Sequence, residues 1–242
     1  MSSPWDHLVL TVSAAWKVLF AAAVYYSMPL DLSSAAMLAP QWMLAIVVRN
    51  VAITWVTGGV WDWLHLSQYS PLYALLQPVK FSPAPPRRGQ LPHDAFWATS
   101  SAIIAAGWEI VIAWGWATGR LTLGAVPGDA WWSDPRTLVM LVTLPYAQII
   151  HFYIVHRVMH NWFPRGKRSA NALVPDIGAL LYKYVHSLHH KSRDPTAFSG
   201  ISMHPIEAAL FFTTMPLYAL FGAHPIVICH AALYNIIGEY LI

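Results

Sequence analysis

The sequence predicts an all-α integral membrane protein: a bundle of about four transmembrane helices followed by a C-terminal helical hairpin. Hydrophobic residues make up 57% of the 242 positions and charged residues only 10%, whereas soluble domains average about 25% charged residues. The chain also has 13 Trp and 11 Tyr, which favour membrane–water interfaces. This composition predicts a bilayer partner. The net charge of +3 is small and says little about nucleic acid, and no nucleic-acid partner is expected.

Four apolar stretches approach the roughly 20 residues that a bilayer-spanning helix needs. They are residues 8–28, 41–60, 97–118 and 137–155. Charged side chains inside such spans usually face other helices. If their two spans pack together, Arg49 and Glu109 are expected to pair, although no sequence argument brings these spans together. Lys17 is expected to extend toward the interface.

The last part of the chain, residues 206–242, is almost wholly apolar and is broken by GAHP at 222–225. This pattern predicts a helical hairpin of two short spans. The whole chain, residues 1–242, is predicted to be one membrane domain. Within it, residues 1–136 form the N-terminal spans and loops, and residues 137–242 carry the main histidine motifs.

Basic residues in the loops predict the orientation, since cytosolic loops are enriched in Lys and Arg. The loop after the fourth span has the largest excess, with Arg157, Arg165, Lys167, Arg168, Lys183, Lys191 and Arg193. We therefore expect this loop, and the histidine-bearing helices within it, to lie at the cytosolic face.

Histidines recur at helical spacing in this region. His156 and His160 are four residues apart, and His186, His189 and His190 form an H-x-x-H-H motif. Positions i, i+3 and i+4 share one face of an α-helix, and neutral imidazole is a common metal ligand. The two groups together predict a metal site.

The spacing alone leaves several types of site open. Imidazole suits Zn, Cu, Fe and Ni, but a structural zinc knuckle is disfavoured because no cysteine lies nearby. A haem held by two axial histidines is a further alternative, although clustered histidines suit compact multi-ligand coordination better.

The segments HRVMH (156–160) and HSLHHKSRDPTAFSGISMHPIE (186–207) resemble the fatty acid hydroxylase and sterol desaturase superfamily. The resemblance extends from about residue 137 to the end of the chain. It implies that the five histidines of the two motifs ligate a di-iron centre: His156, His160, His186, His189 and His190. Three further residues are candidates for supporting the ligands: His151, Asp194 and His204. The alternatives are a packing role for His151, a turn-starting Asp-Pro for Asp194, and a helix start or a metal contact for His204.

The resemblance implies oxygen-dependent C–H oxidation of a membrane lipid, by desaturation or hydroxylation, in lipid or sterol biosynthesis. The PTAFSG-x-SMHP sequence within the second resembling segment favours a sterol substrate. Electrons are expected from a small haem protein and its NAD(P)H reductase at the cytosolic face, in the endoplasmic reticulum if the source is eukaryotic. No catalytic residue is predicted beyond the metal ligands.

One departure from the superfamily pattern concerns the C-terminus. The superfamily has another H-x-x-H-H motif, which we expect beyond Ile242, so the histidine region is predicted to be C-terminally incomplete. The alternative is a catalytically inactive or truncated relative that acts as a binding or regulatory membrane protein.

Overall fold

The computed structural model describes residues 4–76, 85–124, 129–162, 176–194 and 196–237. These residues form helices and loops, without a strand among them. The α-helices are α1 (Pro4–Ser27), α2 (Leu32–Ala36), α3 (Pro40–Leu66), α4 (Tyr73–Leu76), α5 (Gln90–Ala117), α6 (Pro135–Val158), α7 (Ile177–Leu181), α8 (Pro205–Phe211), α9 (Thr214–Leu220) and α10 (Pro225–Ile237).

Three helices, α3, α5 and α6, are long and apolar enough to cross a membrane. They have 27, 28 and 24 residues and correspond to the second, third and fourth predicted spans. The first predicted span is helical within α1. The all-α membrane fold is thus confirmed, while the loop cations Arg165, Lys167 and Arg168 lie outside the described residues.

Up to Ile237, where the described residues end, the C-terminal apolar region forms α8, α9 and α10. The expected break separates α9 from α10, where Gly222 adopts a φ of 66° that a residue with a side chain rarely tolerates. A second turn after Phe211 divides the predicted first arm into α8 and α9. This arm therefore consists of two seven-residue helices rather than one continuous span.

Two His-Pro-Ile sequences start α8 and α10. The proline is the first helical residue in each case, where its missing N–H costs no hydrogen bond. The backbone N–H of Ile206 donates to Nδ1 of His204, and that of Ile226 donates to Nδ1 of His224, each over 3.2 Å. Both histidines therefore act as helix N-caps.

The chain divides into two compact units, and α3, α5 and α6 each contribute residues to both. The first unit comprises Met1–Arg49, Ala105–Ile149 and Phe212–Gly238, and the second comprises Asn50–Ile104, Ile150–Phe211 and Glu239–Ile242.

In the first unit, α1 packs against α10. Lys17 is buried, and its ammonium lies 4.3 Å from the centre of the Tyr234 ring. The lysine thus faces a neighbouring helix instead of extending to the interface, because the aromatic ring offers a favourable cation–π contact. The expected pairing is confirmed for Arg49 and Glu109, whose Nη2 and Oε2 atoms are 2.5 Å apart.

In the second unit, α3 holds the loop that follows the H-x-x-H-H motif. The carboxylate of Asp62 accepts the backbone N–H of Ala197 over 2.7 Å. The ring of Phe198 packs against Trp55, with centroids 5.5 Å apart, and covers Gly58, where an added Cβ would lie 2.8 Å from the ring. Glycine thus allows this close approach between the loop and α3.

Candidate metal centre

Four histidines of the second unit converge on one point. His156 lies in the last turn of α6, and His160 follows in the turn after that helix. His186 and His190 come from the H-x-x-H-H motif. One ring nitrogen from each of the four lies within 4.8 Å of the other three. The structure therefore joins the two motifs, which are about 26 residues apart, into one cluster.

The Nε2 atoms point at one another. The Nε2 atom of His160 is 2.9 Å from that of His156, 3.2 Å from that of His186 and 3.3 Å from that of His190. The Nε2 atoms of His186 and His190 are 3.0 Å apart. When all four nitrogens carry lone pairs these contacts are repulsive, and a cation placed among them removes the repulsion.

The backbone around the second motif is not a regular α-helix. After α7, residues Tyr182–His186 form a π-helical turn, in which the N–H of Ser187 donates to the carbonyl of Tyr182 over 2.8 Å. Residues His189–Lys191 then form a 3₁₀ turn. Such π turns are frequent at functional sites. Here the altered register directs His186 and His190 into the cluster and turns His189 toward a different neighbour.

Gly178 lets α7 pack against the end of the first motif. A Cβ at this position would lie 2.0 Å from the carbonyl oxygen of His160 and 2.5 Å from Cδ1 of Trp162. No rotamer change relieves a clash with a backbone atom. The close packing of α7 therefore places His160 beside His186.

We predict that Gly178→Ala separates these two histidines and lowers retained metal by at least about tenfold. Mutation of residues that hold metal ligands in place typically lowers metal affinity by this amount. Gly107→Ala is a matched control, because a Cβ at Gly107 meets nothing within 4 Å. Metal analysis of the two purified variants checks the prediction. Equal metal content in both would show that α7 packing does not set the site.

A carboxylate that no sequence argument assigned to the site supports His186. Nδ1 of His186 lies 2.7 Å from Oε1 of Glu207, and both side chains are buried. An Nδ1–H that donates to a carboxylate leaves Nε2 with its lone pair and fixes the ring orientation, as is usual for metal-bound histidines. In the sequence, Glu207 is the one charged side chain between residues 205 and 238. A single carboxylate in an apolar stretch indicates a functional position, and this signal could have identified Glu207.

Burial disfavours protonation of the three imidazoles in the H-x-x-H-H motif. Burial, reinforced by the neighbouring His160, lowers the pKa of His186 to about 4. Burial also lowers the pKa of His189 and His190. At neutral pH the rings are therefore unprotonated, which is the state that binds metal.

His189, the fifth predicted ligand, is adjacent to the cluster without joining the four. Its Nδ1 lies 3.2 Å from the carbonyl oxygen of Ser202, so an Nδ1–H donates there and Nε2 keeps a lone pair. Its ring stacks on His186, with centroids 5.7 Å apart. His189 therefore has the tautomer of a ligand.

The three predicted supporting residues have different surroundings. His151 lies five residues before His156 in α6 and is not one of the clustered four. The carboxylate of Asp194 lies 3.5 Å from Nε of Arg87. His204 caps α8 and stacks on Trp97, with centroids 6.5 Å apart.

A second carboxylate, Asp94 near the start of α5, holds both ends of the segment that follows the H-x-x-H-H motif. The side chain is fully buried. It accepts hydrogen bonds from the hydroxyls of Ser192 and Ser202, over 2.5 and 3.1 Å, and from the amide of Gln90 over 3.2 Å. Because these serines flank the segment that follows His190, Asp94 fixes the shape of this segment.

We predict that Asp94→Ala lowers the free energy of unfolding by about 3 kcal/mol, because it leaves two hydroxyls and one of the two N–H bonds of the Gln90 amide without an acceptor; the other donates to the carbonyl of Asp194. It should also lower metal retention. Asp31→Ala is the control, since it removes an exposed helix cap worth about 1 kcal/mol. Denaturant titration in micelles checks both variants, and equal losses would contradict this role for Asp94.

The donor set fits a transition-metal ion. Ligand nitrogens lie about 2.0–2.1 Å from such an ion, so neighbours at angles of roughly 90–110° are about 2.9–3.4 Å apart. The four Nε2 atoms have contacts of 2.9 to 3.3 Å. Imidazole accommodates Zn, Cu, Fe and Ni, so the geometry indicates a metal without selecting one.

Comparison with known proteins bears on the same residues. Residues 140–242 match the family model described as fatty acid hydroxylase, and the matched range includes all four clustered histidines together with His189 and Glu207. No curated protein and no solved structure matches the chain. The match confirms the resemblance seen in the two histidine motifs: residues 140–242 are similar to the fatty acid hydroxylase family, consistent with the superfamily that includes the sterol desaturases.

Proposed function

We propose that the protein is an oxygen-dependent oxidase that hydroxylates or desaturates a membrane lipid. The observation that carries this proposal is the convergence of four imidazole Nε2 atoms in a region similar to the fatty acid hydroxylase family. A similarity of this kind implies an oxidoreductase. We infer that the metal is iron. We also infer that the lipid is of the sterol type, which the PTAFSG-x-SMHP sequence favours.

The residues that would hold iron are His156, His160, His186 and His190, and His189 would serve a second ion. Bound iron supplies the oxidising power toward an unactivated C–H bond that acidic and basic side chains lack. The protein's own contribution is to lower the pKa of His186, His189 and His190 by burial and to fix the ring orientation of His186 and His189.

The surroundings of the cluster favour access from one side. His186 is buried, whereas His190 is exposed. Aromatic rings border the cluster: Phe152 lies 5.3 Å from His156, and Tyr182 lies 5.3 Å from His160, both between ring centroids. We infer that an apolar substrate meets the cluster along this aromatic border, while reductant arrives near His190.

Hydroxylation of a C–H bond consumes one O₂, two electrons and two protons, and releases one water. We propose that a soluble haem protein, reduced by an NAD(P)H reductase, supplies the electrons at the cytosolic face. Exposed cations near the motifs would attract an acidic donor; they are Arg157, Lys183, Lys191 and Arg193. In a eukaryotic cell the corresponding membrane is the endoplasmic reticulum.

Turnover under ¹⁸O₂ tests the proposal and distinguishes the two reactions. The iron-loaded chain in lipid vesicles, supplied with sterol or acyl lipids and a reductant, should give products detectable by mass spectrometry. Hydroxylation adds one ¹⁸O atom to the lipid, whereas desaturation removes two hydrogens and adds no oxygen. A folded, iron-loaded chain that gives neither product with any lipid would favour the non-catalytic, binding or regulatory alternative.

A further inference from the structure

The first unit contains a cleft with buried polar groups, and none of the clustered histidines lines this cleft. The cleft has about 510 Å³ of empty space including its open mouth. Apolar and aromatic side chains form most of its lining, Trp42 and Ile46 among them. Ligand sites in proteins commonly combine such walls with a few placed polar groups.

The polar groups of the cleft are the Arg49–Glu109 ion pair and two aromatic residues, Tyr25 and Trp116. Arg49 is nine residues from the start of α3, and Glu109 is eight residues from the end of α5. At 1.5 Å per residue these positions are about 12–14 Å inside the helix ends. An ion pair at such depth in a spanning helix indicates a functional site.

Trp116 supplies an independent observation. Its side chain lines the cleft and is only 7% exposed. Its indole N–H is buried and has no hydrogen-bond partner in the described part of the chain. Buried donors are almost always paired in proteins, so this N–H indicates an acceptor that a bound molecule brings.

We propose that this cleft binds the hydroxyl end of a neutral lipid alcohol, with the apolar body of the lipid against the aromatic and aliphatic walls. A hydroxyl accepts from the Trp116 N–H, carries no charge, and has a proton of its own to donate to an acceptor of the cleft. An ether or ketone offers an acceptor alone. A carboxylate would place a second negative charge beside Glu109 in a low-dielectric site, which is unfavourable. Arg49 already neutralises Glu109, so a neutral head group fits best.

Photolabelling of the full chain in phosphatidylcholine vesicles tests the proposal without reference to turnover. Three long-chain probes share the same diazirine tail and differ in the head group: an alcohol, its methyl ether and the carboxylic acid. We expect the alcohol to label the cleft peptides of α1, α3 and α5, in competition with unlabelled alcohol. The ether and the acid should bind at least about fivefold more weakly, the scale of one lost hydrogen bond.

Two variants complete the test. Trp116→Phe keeps a smaller aromatic ring and removes the N–H, and should weaken alcohol binding by about fivefold. Trp63→Phe, at an exposed position of α3, is the matched control and should leave binding unchanged. Absence of cleft labelling, equal labelling by the three probes, preference for the acid, or equal binding by the two variants would each overturn the proposal.

Discussion

His190→Ala should lower retained iron by more than about tenfold and abolish lipid oxidation, since loss of a ligand exceeds the 10–100-fold effect of losing a ligand's support. His190 is the exposed member of the cluster, so its removal opens no buried cavity and should leave the fold intact. Its Nε2 atom contacts those of His160 and His186, so its loss removes one of four converging donors. Elemental analysis and the lipid product assay measure the two effects.

The control for this variant is His65→Ala, at the end of α3 and outside the cluster. It should keep both iron and activity. His186→Ala and His189→Ala are also expected to lose metal, but His186 is fully buried and its loss also affects stability. Native iron content in the folded His190→Ala protein would rule out the cluster as the metal site.

Glu207→Gln should lower iron affinity about 10- to 100-fold with little change in melting temperature. The amide is similar in size and still presents an oxygen to Nδ1 of His186, but it carries no negative charge to increase the ligand's basicity. Losses of this size are typical when the carboxylate that supports a metal-bound histidine is replaced.

A graded series separates this electrostatic role from packing. Glu207→Ala removes both charge and acceptor, so it should bind iron more weakly still and also lower the melting temperature. Competition with a calibrated chelator gives the affinities. If Glu207→Gln binds iron as tightly as the native protein, Glu207 is only a packing residue of α8.

The sequence predicts the helices and the main cluster because both depend on local spacing. Apolar stretches of span length became α3, α5 and α6. His156 and His160, four residues apart in the sequence, direct their Nε2 atoms to the same point, although His160 lies just beyond the end of α6. The pairing of Arg49 with Glu109 did not follow from the sequence, because it depends on α3 packing against α5; the structure supplies that contact, and the cost of burying either charge alone explains it.

The parts that local spacing cannot predict depend on tertiary contacts. Regular helical geometry would place His186, His189 and His190 on one face, but the π turn at Tyr182–His186 sends His189 toward Ser202. Glu207 is 21 residues after His186, and Asp94 is 98 residues before Ser192. No periodicity links such positions, so their roles emerge only once the helices are packed.

The iron content of the folded chain tests the central claim most directly. The native protein and His190→Ala are loaded with ferrous iron under the same anaerobic conditions, desalted and subjected to elemental analysis. The histidine cluster predicts about one to two iron ions per native chain and a severe loss in the variant. A folded native chain that retains no more iron than the variant would contradict the metal centre and, with it, the proposed oxidase.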